Sequence, residues 1–143
     1  MRGRCRVEDD DHGRETVCHN DFSPLNVTSA GGLPALAFDF DQAAPGPRGR
    51  DLAYAAWLWL LGAEIAAPLA HQLSLLRTFL DAYGFDNVDR RGFGRRIVAQ
   101  VEAERDMHER AGRVTAPGSW LHREIDWLAE HTDAIDRGVR GGA

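Results

Sequence analysis

Apolar residues recur at helical spacing after residue 50 and do not do so before it. Leu52, Tyr54, Trp57, Leu58, Leu60 and Leu61 form a segment that is apolar nearly all round. That pattern predicts a buried helix over 52–61, with Asp51 as a candidate N-cap. Pro68 opens a second helix, which carries Leu69, Leu73, Leu76 and Leu80 as far as Gly84. A third is predicted from Gly92 to Ala111, with Ile97, Val101 and Met107 inward, and a fourth opens at Pro117 and carries Leu121, Ile125, Leu128 and Ile135.

Upstream the period changes. Thr16 to Cys18 is short and β-prone, and His19 to Asn26 is a polar loop containing Pro24. Val27-Thr28 and Leu36-Ala37-Phe38 flank a Gly31-Gly32 turn, which predicts a β-hairpin. Ala43 to Arg50 is rich in Pro and Gly and is expected to be a loop. The charged residues 1–15 are expected to be a frayed segment, with the folded unit over 16–137: loop and hairpin at 16–41, helices at 51–137. The expected fold class is therefore mainly α with a short β-hairpin (α+β).

Composition narrows the field. The hydrophobic fraction of 43% and the charged fraction of 27% are those of a globular chain. A net charge of -5 argues against nucleic acid as a partner. The longest apolar stretch, Leu52 to Ile65, is interrupted by Gly62 and Glu64 and is too short to cross a bilayer. Cys5 and Cys18 have neither zinc-site nor redox-pair spacing, and with no apolar leader in view the expected setting is cytoplasmic. All 17 basic residues are arginine, so no lysine is available for any role.

The residues with evident chemistry fall in order within the first third: His19-Asn20-Asp21-Phe22-Ser23-Pro24-Leu25-Asn26, then Phe38-Asp39-Phe40-Asp41, then Asp51-Leu52-Ala53. Phosphoryl transfer asks a protein mainly to position groups and neutralise charge. One carboxylate must orient the acceptor hydroxyl and take its proton. An amide oxygen and a second carboxylate can hold magnesium, which favours hard oxygen ligands and keeps several waters. Asp21 stands five residues before Asn26 on one loop, and the hairpin returns Asp39 beside them.

In this order and spacing, Val17 to Ala53 resembles the aminoglycoside phosphotransferase and choline kinase-like family, which shares the protein-kinase-like fold. The resemblance implies the C-terminal lobe of that fold and transfer of the ATP γ-phosphoryl to a hydroxyl of a small molecule. It implies Asp21 as catalytic base, Asn26 and Asp39 as magnesium ligands, and His19 and Asp51 as braces of the loop. Asp41 would stand near the metal or the acceptor, or be a plain loop residue. Acidic residues on late helices, Glu124 and Asp126 among them, are candidate contacts for a cationic acceptor, or simply a solvated face. Asn20 stands where the family has glycine. The family's first lobe supplies a Gly-rich phosphate loop and a lysine, and neither precedes His19 here. The nucleotide site is thus expected to need a separate N-lobe chain or an in-frame continuation upstream of Met1, and a homodimer is expected if the lobe leaves an apolar face uncovered.

Two rival readings remain beside this one: a non-catalytic remnant or binding module, and a metal-dependent hydrolase, in which Asp39-Phe40-Asp41 and Asp51-Leu52-Ala53 would have no evident job. The four tryptophans and the acidic run Glu102, Glu104, Asp106 and Glu109 read most simply as packing and as a solvated helix face.

Overall fold

A computed structural model describes residues 15–113 and 116–140. The segment expected to be frayed, together with Cys5, lies outside the described residues as far as residue 14, and Glu15 already belongs to strand β1 (Glu15–Cys18). The fold is mixed: two small antiparallel sheets precede four helices. The hairpin comprises β2 (Val27–Ala30) and β3 (Leu33–Ala37). Gly31 and Gly32 both take positive φ in its turn, a conformation that side chains with a Cβ disfavour.

The second sheet departs from the sequence expectation. Ala44 to Pro47 forms β4 and pairs with β1, within the stretch predicted as a loop. Proline is tolerated there because, among the described residues, β4 has a neighbour on one side alone. Pro47 then leads directly into α1 (Arg48–Trp59), so this helix starts earlier than predicted and Asp51 lies inside its first turn instead of capping it. Its residues 52–57 are all buried, as an all-round apolar pattern requires.

The remaining helices are α2 (Leu69–Tyr83), closed by Gly84 at φ 77°, α3 (Phe93–Arg110) and α4 (Trp120–Val139). Helix α4 begins after Pro117 because Gly118, at φ 79°, holds the chain in a turn. Leu52, Trp57, Leu76, Leu80, Phe93, Ile97, Val101, Leu128 and Ile135 belong to a single core. Helices α3 and α4 approach closely at Gly94, where an added Cβ would sit 2.8 Å from the Thr132 carbonyl oxygen. Met107 does not turn inward as predicted; it is exposed. Ile97, Val101, Glu104 and His108 share the α3 stripe instead, because steps of four, three and four residues keep to one helix face. No helix among the described residues is long and apolar enough to cross a membrane.

Candidate active site

The loop His19–Asn26 is held from two directions. Helix α1 supplies Asp51, whose carboxylate accepts the His19 N–H at 2.6 Å and the Asn20 N–H at 2.8 Å. The end of the hairpin supplies the Phe38 carbonyl, 3.0 Å from His19 Nε2. A carbonyl can only accept, so His19 Nε2 is the donor in this bond. Asn20 takes φ 61°, a left-handed conformation that Asn tolerates better than most residues, and its Nδ2 donates to the Gln42 carbonyl at 2.9 Å. His19 thus bonds the loop to the hairpin, and the Asp51 carboxylate joins it to α1.

Local turns set the rest. The Ser23 N–H donates to Asp21 O, and the Asn26 N–H to Ser23 O, which closes the 3-10 turn Pro24–Asn26. This folds the five-residue spacing back on itself, so that Asn26 Nδ2 donates to both Asp21 O and Asp21 Oδ2 at 2.9 Å. The other carboxylate oxygen, Oδ1, accepts from Tyr54 Oη at 2.8 Å. The Phe38 N–H donates to Asn26 O, extending the hairpin ladder by one step, so that Phe38 stands opposite Asn26 and Asp39 follows it in the chain. Asp39 is exposed and takes φ 63°, and Asp41 is exposed in the turn beyond.

Asp21 and Asn26 open into a cleft of about 490 Å³. Its walls include Tyr54, Trp57 and Leu58 of α1, Glu104 and His108 of α3, and Trp120 and Leu121 of α4. Trp57 and Trp120 stack with ring centroids 5.4 Å apart. Burial pushes the Glu104 carboxyl above its ordinary value; His108 pulls it back, the Asp21 charge pushes it up again, and Arg50 opposes. Burial, and then the hydrogen bond to Asp21, drive the Tyr54 hydroxyl well above its ordinary value, so it stays a donor.

Glu124 and Asp126 are not among the residues lining this cleft. Glu124 is 2% exposed and accepts the Ala63 N–H at 3.1 Å, an internal contact that fits neither a solvated face nor an open acceptor contact. Burial pushes its carboxyl up against the pull of that N–H. Asp126 is exposed on α4. Sequence reasoning misses Tyr54 and places Glu104 on a solvated face. Two signals point to them: the three-residue step from Asp51 to Tyr54, and the polar pair Glu104 and His108 continuing a buried stripe.

No cluster of three or more His, Cys, Asp or Glu side chains able to hold a metal ion occurs among the described residues. The oxygens that could hold a hard cation are those of Asn26 and Asp39. The Asn26 amide spends its nitrogen on Asp21, which leaves its carbonyl end for a cation, and the Asp39 carboxylate is open to solvent. Magnesium tolerates so few protein ligands when phosphates and water complete its shell.

Comparison with curated proteins, and with solved structures, finds no match. The model of the phosphotransferase enzyme family matches residues 3–93. That span is more than half of the chain, and it contains the loop, the hairpin, Asp51 and Tyr54. By this match, and with the loop network it encloses, the chain belongs to the phosphotransferase enzyme family.

Proposed function

We propose that the chain is the catalytic lobe of a kinase-like phosphotransferase that moves the γ-phosphoryl of ATP to a hydroxyl of a small molecule. The observation that carries this reading is Asp21, whose two carboxylate oxygens are each held by a donor, Asn26 and Tyr54, at the wall of a cleft large enough for a small acceptor. Asp21 accepts the hydroxyl proton while the acceptor oxygen bonds to the γ-phosphorus and the bond to the bridging oxygen of ADP breaks. Asn26 and Asp39 would hold magnesium, which when bound neutralises phosphate charge. Asp41, exposed in the turn beyond Asp39, would stand near the metal or the acceptor. Asp51 and His19 keep the loop in shape.

An acceptor with a positive charge, of the aminoglycoside or choline type, suits the cleft, where Asp21 and Glu104 lie beside the stacked Trp57 and Trp120. A partner for nucleotide binding suits the other side. Leu33, Leu36, Phe38 and Phe40 are exposed on and just beyond the hairpin, and with no lysine in the chain, a phosphate contact falls to arginine or to another chain. A separate N-lobe chain would meet both needs; a second copy would cover the apolar residues and offer arginine to phosphate.

Titration calorimetry of magnesium-ATP into the purified chain tests the nucleotide half of this reading. Binding that Asp39→Ala weakens by tenfold or more supports it, by order of the charge-assisted contacts removed. Equal binding by wild type and Asp39→Ala would sink the metal assignment.

A further inference from the structure

Helix α1 meets the loop at two points separated by three residues. Asp51 receives the backbone N–H groups of His19 and Asn20, and Tyr54 reaches the Asp21 carboxylate itself. Residues three apart share a helix face, so one turn of α1 sets both the path of the loop and the attitude of its functional side chain. The terminal torsion of an aspartate is soft and broad. Here each oxygen of Asp21 receives one donor, Asn26 Nδ2 on Oδ2 and Tyr54 Oη on Oδ1. Each carboxylate oxygen has two lone-pair sites, so one on each remains for the cleft that Asp21, Asn26 and Tyr54 line together.

We infer that Tyr54 is a positioning residue for Asp21, its hydroxyl holding the carboxylate plane so that a free lone pair meets the acceptor hydroxyl. This role rests on the phosphotransfer reading. The donor is itself rigid: Tyr54 is buried in the core, its ring packs edge-on against Trp57 at 5.8 Å, and Trp57 stacks on Trp120 of α4. Positioning matters here because the reaction draws on alignment more than on covalent help from the protein. A Tyr54 that served the core alone would need its ring and not its hydroxyl.

The test is Tyr54→Phe in the full chain, assayed with magnesium-ATP and with choline and kanamycin as acceptor probes. The phenyl ring preserves the packing and removes the donor. The expected result is a kcat about ten- to a hundredfold lower, with the KM for magnesium-ATP within about twofold of wild type. The melting temperature should fall by no more than about 3 °C, the effect of removing one hydrogen bond. A wild-type kcat in Tyr54→Phe, or a loss confined to KM, overturns the role of Tyr54. A wild-type chain that binds magnesium-ATP yet phosphorylates neither probe overturns the phosphotransfer reading, and the Tyr54 role falls with it. The two failures are thus distinguishable by the activity of the wild type.

Discussion

Replacing Asp51 with alanine removes the acceptor for two backbone N–H groups at once. Both bonds are short, 2.6 and 2.8 Å, and both cross more than thirty residues of sequence, so nothing local can replace them. Hydrogen bonds to a charged group are worth about 1.5–3 kcal/mol each. Two would give about 3–6 kcal/mol for fully buried partners, and Asp51 is only partly buried, so about half of that is expected. Its place in the first turn of α1 adds about 0.5 kcal/mol from the helix dipole. The total is about 3 kcal/mol. For a chain of this length that corresponds to a drop of about 9 °C in melting temperature. Asp51→Asn keeps one acceptor oxygen and should lose about half as much. Differential scanning calorimetry at neutral pH reads both values. An Asp51→Ala protein melting within about 3 °C of wild type would refute the claim that α1 holds the loop through this carboxylate.

Other outcomes follow from particular contacts. Gly94→Ala forces a Cβ against the Thr132 carbonyl, and after the gain in helix propensity it should still cost about 1–2 kcal/mol, read as a fall of about 3–6 °C. Because burial raises the Glu124 carboxyl, the native state holds that proton more tightly than the unfolded chain; the associated stability is present below the ordinary carboxylate value and is lost as pH rises through the raised one. Glu124→Gln should therefore melt above wild type at pH 8 and match it near pH 4, and a gap that widened toward acid would contradict the assignment. Glu104→Gln should raise the KM for choline about tenfold with magnesium-ATP affinity unchanged, because it takes one negative charge away from the cleft wall; steady-state kinetics separate the two.

What can be read in the sequence is what is local. Asp21 and Asn26 meet because a single 3-10 turn joins them, and the hairpin that carries Asp39 announces itself by its two glycines. Asp51 is ambiguous for a physical reason: a carboxylate at the head of a helix can cap it or reach elsewhere, and the choice is decided by a loop more than thirty residues away. The strand β4 is hidden because prolines suppress a strand pattern except at an edge, and edges are not visible before pairing is known. On α3 the apolar pattern leads from Val101 to Met107, whereas the inward stripe continues through Glu104 and His108. Polar residues on a buried stripe mark the place where the core gives way to a cleft, and only the approach of α1 and α4 shows it to be one. Glu124 misleads for the opposite reason: an acidic residue on a late helix satisfies the N–H of Ala63 within the fold.

The central claim, phosphoryl transfer by way of Asp21, is most directly tested by incubating the chain with magnesium, γ-labelled ATP and the two acceptor probes, choline and kanamycin. Label should appear on an acceptor hydroxyl with wild type and not above background with Asp21→Asn, the two proteins melting at similar temperatures. Equal label transfer by Asp21→Asn, or none by a wild-type chain that binds magnesium-ATP, would contradict it.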